Sequence, residues 1–318
     1  MMNIRLSVNH GRQIPAGADR RLFQQRPFRV VAGVDWSADS LAAIRAIPAL
    51  YVPDELVLVH AVSPFALESR IRSDRARNRS HRSGDFHQPQ SVAAGQRSLI
   101  WTAALVHKAV PSTKGMCDVG APAGVLLDAA RTVGAELLVV GQRGTREDLN
   151  KTIGSVAHRV CLNAECSTLM VRKSHGTPRR VLALIQHGED VAALQRWVRI
   201  VPFRDTTDLT VLCVVAEPEE GEPIGPLSVQ FWQAAAMRNA RSLLDSLVRE
   251  LEIPLLRVTG RVVRGNPSTI ILQEALNFDL LMLHGSDRKG RDPRRAGLPW
   301  RTLLRIASCS TLIVRAPV

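Results

Sequence analysis

The stretch Cys166-Ser167-Thr168-Leu169-Met170-Val171-Arg172 returns almost unaltered as Cys309-Ser310-Thr311-Leu312-Ile313-Val314-Arg315. Other landmarks recur at nearly the same offset, roughly 145 residues on, which is longer than any solenoid period. Ala135-Glu136-Leu137-Leu138-Val139-Val140-Gly141 matches Phe278-Asp279-Leu280-Leu281-Met282-Leu283-His284 followed by Gly285, and Gly120-Ala121-Pro122 matches Gly265-Asn266-Pro267. Val57-Leu58-Val59 corresponds to Leu209-Thr210-Val211-Leu212, and Arg29-Val30-Val31 to Arg180-Val181-Leu182. The repeating unit is therefore a whole domain, and 318 residues suit two, each large enough to bury its own core. The boundary falls in Lys173-Ser174-His175-Gly176-Thr177-Pro178, a polar linker with Gly and Pro. This gives domains at 28–173 and 179–318, preceded by a basic arm at 1–27 without periodicity that is expected to be flexible.

Within each unit, short β-branched runs alternate with longer amphipathic stretches. Apolar runs without clean alternation suit strands buried on both faces. Strand–helix alternation predicts a parallel sheet with right-handed crossovers and helices on both sides, so the expected class is α/β, two tandem doubly wound parallel-sheet domains. Ligands in such sheets lie beyond the carboxyl ends of strands, at the switch point in strand order. Asp35, Ala61 and Gly141 all fall at or near such ends.

Gly141-Gln142-Arg143-Gly144, then nine residues, then Gly154-Ser155 is the pattern that carries chemistry. It starts where Leu137-Leu138-Val139-Val140 ends. Glycines at a strand end let a backbone pass close to a phosphate with no Cβ in the way. A Gly-Ser pair opening a helix adds backbone N–H donors, a hydroxyl and the positive end of a helix dipole. Arg143, Arg146 and Lys151 lie between and can neutralise phosphate charge. The bland alternative is that the glycines cap a strand and a helix.

Five features in order between residues 28 and 172 resemble the universal stress protein family. A first strand ends in an aspartate before a helix, as Phe28-Arg29-Val30-Val31-Ala32-Gly33-Val34-Asp35-Trp36-Ser37 does. A second strand carries a histidine near its end, as in Leu56-Val57-Leu58-Val59-His60-Ala61-Val62. The Gly120-Ala121-Pro122 turn, the glycine motif and a last strand after Cys166 complete the set. The resemblance implies an adenine-nucleotide alpha hydrolase-like domain that binds ATP, AMP or ADP, with Mg2+ as an optional companion. It implies that Asp35 meets the nucleoside, Ala61 meets adenine through its backbone, and Val140 lines the pocket. Gly141, Gly144, Gly154, Ser155 and the amide of Val156 would hold ribose and phosphates. It further implies a role in stress response through nucleotide-dependent partner contacts, with the two domains pairing through their last strands and a homodimer open.

Alternatives stand beside several of these residues. Asp35 also suits charge at a helix start whose N-cap would be Ser37. Trp36 either shields the base or packs locally. His60 and His158 lie on elements and read as structural histidines rather than acid–base groups. Glu147 and Asp148 either hold Mg2+ through water or form a solvated face.

The second unit keeps the landmarks and loses the site. Gln186 aligns with Asp35, Arg288 replaces the second glycine, and Gly297-Leu298-Pro299 replaces Gly154-Ser155-Val156, where Pro299 has no N–H to donate. The net charge of +13 admits nucleic acid as a partner, and the basic loop at 64–90 either binds such a partner or is a solvated arm. Five cysteines without a C-x-x-C read as buried free thiols in a reducing compartment. No export signal or membrane-length apolar run is seen in the sequence, and the cytoplasm is the expected location. With no lysine phosphate loop, nucleophile elbow or metal-binding helix motif, a non-catalytic nucleotide-binding protein leads. A slow Mg-dependent ATPase and a nucleic-acid- or ribosome-associated protein are its rivals.

Overall fold

The structure is a computed structural model that describes residues 27–64, 91–145, 152–172, 178–201, 203–216, 226–251, 253, 255–285 and 300–315, without the side chains of 226–230, 232 and 300. The chain divides into two compact units, the first ending at Lys173 and the second spanning Ser174–Ala316.

The first unit runs β1 (Arg29–Gly33), α1 (Ala38–Leu50), β2 (Glu55–Val62), α2 (Val92–Ala104), β3 (Thr113–Val119), α3 (Pro122–Val133), β4 (Leu137–Gly141), α4 (Ser155–Asn163) and β5 (Ser167–Val171). Its strands pair in parallel in the order β3-β2-β1-β4-β5. Chain order therefore reverses between β1 and β4, which are paired Val30 to Leu137 and Ala32 to Val139. Right-handed crossovers put α1 and α2 on one face and α3 and α4 on the other. The central strands read as unbroken apolar runs because both faces are covered: Val30, Val31 and Ala32, like Leu137, Leu138 and Val139, have no exposed surface.

Local signals explain the helix ends. Ser37 has extended backbone angles, and its Oγ accepts the Ser40 amide at 3.1 Å, which starts α1. Pro122 opens α3 at a position where its missing N–H costs nothing, and Gly134 closes it in the left-handed region at φ 64°. Phe28 and Arg29 donate their amides to Asp54 and Glu136 at 2.7 Å each, anchoring the entry to β1.

The second unit repeats the plan with β6 (Arg180–Leu184), α5 (Gly188–Ile200), β7 (Thr207–Val215), α6 (Pro226–Glu250), β8 (Leu256–Arg264), α7 (Pro267–Ala275), β9 (Leu280–His284), α8 (Trp300–Ile306) and β10 (Ser310–Val314). Its order, β10-β9-β6-β7-β8, is that of the first unit. Asp279 takes the part of Glu136, accepting the amides of Arg179 and Arg180 at 3.0 and 2.9 Å. Gly265 at φ 139°, Asn266 as N-cap and Pro267 repeat the turn into the third helix. Leu182, Leu281, Ile271 and Leu303 form the buried centre of this unit.

The basic arm and the 64–90 loop, save residue 64, lie outside the described residues apart from Pro27, as does most of the linker. Among the described residues the five cysteines form no disulfide; Cys161, Cys213 and Cys309 are buried, Cys117 and Cys166 half-buried. No described helix is long and apolar enough to cross a membrane.

Candidate functional site

The carboxyl ends of β1, β2 and β4 lie side by side, and the motif residues collect there. Gly141 ends β4, and a Cβ built on it would come within 2.6 Å of the Asp39 carbonyl carbon and the Ser40 nitrogen. The missing side chain thus serves the approach of α1, a use of Gly141 that the sequence did not reveal. Gln142 is buried and ties the two halves of the motif together. Its amide donates to Val171 O, its carbonyl accepts the Gly154 amide at 2.8 Å, and its side chain donates to Thr152 O. Gly154 is the N-cap of α4 and Ser155 its first residue, as the Gly-Ser pair suggested. Gly154 offers no side-chain cap, so the start of α4 keeps an anion-receptive character.

Asp35 is half-buried just past β1. Its Oδ1 accepts the Ser37 amide and its Oδ2 the Thr145 amide, each at 3.0 Å. A neighbouring pair of bonds joins the same two segments: Arg143 N donates to Asp39 Oδ2 at 3.1 Å, and Ser37 Oγ donates to Arg143 O at 3.2 Å. The loop that follows β4 is thus fastened to the start of α1 by two carboxylates and a hydroxyl. Arg143 Nε is buried with no hydrogen-bond partner among the described residues. A buried guanidinium N–H lacking an acceptor is costly, and an anionic ligand is one acceptor of the right kind.

The remaining candidates divide. Ala61 is half-exposed at the end of β2, in register with Asp118 of β3, where its backbone borders the same end of the sheet. Val140 is 4 % exposed and packs toward Gly33 on the α3 side, so its side chain is core. Val156 is half-buried in the first turn of α4, and Gly144 is half-buried between the two fastened residues Arg143 and Thr145. Among the described residues the glycines at positive φ are Gly134 and Gly265, so Gly144 owes nothing to left-handed backbone.

Trp36 packs locally. It sits at φ 61°, unusual for a bulky residue, with its ring 4.5 Å from that of His60 and its Nε1–H donating to Thr102 Oγ1 at 3.0 Å. His60 is buried, and its Nδ1 lies 2.8 Å from Val34 O, which makes it a brace between β1 and β2. His158 lies within α4. Arg146, Glu147, Asp148 and Lys151 lie outside the described residues, as do Arg288 and 297–299 in the second unit. Among the described residues no group of three or more His, Cys, Asp or Glu could hold a metal ion.

In the second unit side chains meet at the equivalent strand end. His284 stands at the position of Gly141, and its Nδ1 lies 2.9 Å from Asp190 Oδ1, which fixes the proton on Nδ1. Asp190 Oδ2 accepts the amides of Gln186 and His187 at 2.8 and 2.9 Å. Burial pushes the Asp190 carboxyl up, but the bonds from His284, Gln186 and His187 outweigh it and hold it below the usual range. Cys213 takes the strand position of His60; burial first, then the Asp190 charge, push its thiol up to about 11, so it is an inert thiol at neutral pH.

The profile of the universal stress protein family matches residues 28–172. The first domain belongs to that family. The match spans all five features, from the entry to β1 through the end of β5. Among solved structures, the chain is similar to a universal stress protein from Archaeoglobus fulgidus DSM 4304, at 13 % identity and TM-score 0.56, covering 90 % of this chain and 98 % of that one. It is also similar to a functionally unknown protein from Pseudomonas aeruginosa PAO1, at 12 % identity and TM-score 0.59, covering 94 % and 95 %. These alignments run through both units, so the second unit shares the universal stress fold. No curated relative matches the sequence.

Proposed function

We propose that the first universal stress domain binds one adenine nucleotide and that its occupancy alters partner contacts during a stress response. The observation that carries the reading is the convergence of both halves of the glycine motif, closed by Gln142, at the point where chain order reverses between β1 and β4. In this reading Asp35 faces the nucleoside and Ala61 offers its backbone to the base. Gly144, Ser155 and the first-turn amides of α4 receive the phosphates, with Arg143 as a cationic neighbour. The Arg143 Nε, buried and without a partner among the described residues, supports an anion at this place. ATP, ADP and AMP share the features recognised, and phosphate number is set by how far the donors reach along the motif.

The test is mass analysis of small molecules released from natively purified full-length chain. About one adenine nucleotide per chain is expected, and its amount should fall sharply in a Gly144→Val variant. A nucleotide-free protein that also fails to take up ATP added at millimolar concentration would remove the reading.

A further inference from the structure

The amides that fasten the Gly141–Thr145 loop belong to the same loop that the nucleotide reading turns toward phosphate. Two of them are already taken: Arg143 N by Asp39 Oδ2 and Thr145 N by Asp35 Oδ2. Each acceptor is a carboxylate, an anion in the place where a phosphate oxygen would compete. The two acids differ in where they sit. Asp35 lies between β1 and α1, before the N-cap. Asp39 is inside the first turn of α1, where the helix dipole favours its charge, and that turn is pressed against Gly141.

We propose that Asp39 is a specificity-determining residue of this site, an internal counter-anion that makes it reject bare polyphosphate and demand a nucleoside. The proposal rests on the nucleotide reading above. A nucleoside supplies donors that draw Asp35 off Thr145 and free that amide for phosphate. Inorganic triphosphate lacks the ribose hydroxyls and base N–H groups that would do this and meets both carboxylates in place. Like charges a few ångströms apart in a partly buried site repel strongly, so the fixed Asp39 charge discriminates against the ligand that has charge and little else. Asp39 itself touches no ligand in this scheme; it acts through Arg143 and its own charge.

The experiment titrates the full-length chain with ATP and with sodium triphosphate by calorimetry, for the parent, Asp39→Ala and Asp39→Asn. Amide exchange across 141–145 is followed in the ligand-free state. Asp39→Ala should tighten triphosphate binding about tenfold while ATP binding gains much less, and exchange in the loop should rise. Asp39→Asn keeps an acceptor for Arg143 N and removes the charge. It should therefore gain triphosphate affinity with little change in exchange, and it serves if the alanine variant folds poorly. If the parent binds ATP but neither variant gains triphosphate affinity, the inference is overturned and the nucleotide site stands. If no form of the chain binds ATP, the nucleotide reading fails and takes the counter-anion with it.

Discussion

Replacing Gly141 by alanine would force the backbone to move, because the atoms in the way are main-chain atoms of Asp39 and Ser40, not a side chain that can turn aside. Gly141→Ala should lower stability by about 1–3 kcal/mol in urea unfolding, the usual cost of overpacking a close contact. An unchanged midpoint would mean that α1 does not start against β4. Ser155→Ala should weaken ATP binding by about 1–2 kcal/mol, as one charge-assisted hydrogen bond is lost, without moving the unfolding midpoint by a comparable amount. Isothermal titration reads the first and thermal unfolding the second. Gly141, Gly154, Ser37 and Asp35 were all visible in the chain, because each is tied to a strand end or a helix start that leaves a local mark. Asp39 and Gln142 were not. Their partners lie elsewhere in the chain, and an acid in a helix's first turn already has a local explanation. Nothing in the sequence says that its oxygen meets an amide 104 residues away.

Helices α1 and α5 begin at equivalent ends of β1 and β6, yet they secure their first turns differently. The first uses a serine cap and a glycine neighbour; the second uses Asp190, which gathers Gln186, His187 and His284 around one carboxylate. Because the folded Asp190 carboxyl is held below its usual range, its contribution is present above the unfolded value, about pH 4, and is lost as pH falls through the lowered folded value. Asp190→Asn should therefore be less stable than the parent at pH 6, with the gap closing on acidification below about pH 4. Thermal unfolding of both forms across that range checks it, and a gap that stays constant with pH would rule out the carboxylate as its source. The Gln186 alignment with Asp35 was readable from the repeat. The His284–Asp190 contact was not, since it joins the end of β9 to the start of α5; the counterpart of His284 in the first unit, Gly141, has no side chain, and the counterpart of Asp190, Asp39, accepts the Arg143 amide instead.

The repeat announced the fold of both units, because duplicated strands leave duplicated apolar runs and a doubly wound sheet is the arrangement that buries them on both faces. It did not announce that a side chain at the end of β9 meets Asp190, because His284 looked like an ordinary end of an apolar run. The account predicts a sharp asymmetry in ligand binding, a site in the first unit and none in the second. Calorimetric titration of the full-length chain with ATP, repeated with Gly144→Val, tests this most directly. One site per chain is expected, abolished by Gly144→Val while circular dichroism and the unfolding midpoint stay near the parent's. Two equivalent sites, or full ATP affinity in Gly144→Val, would contradict it.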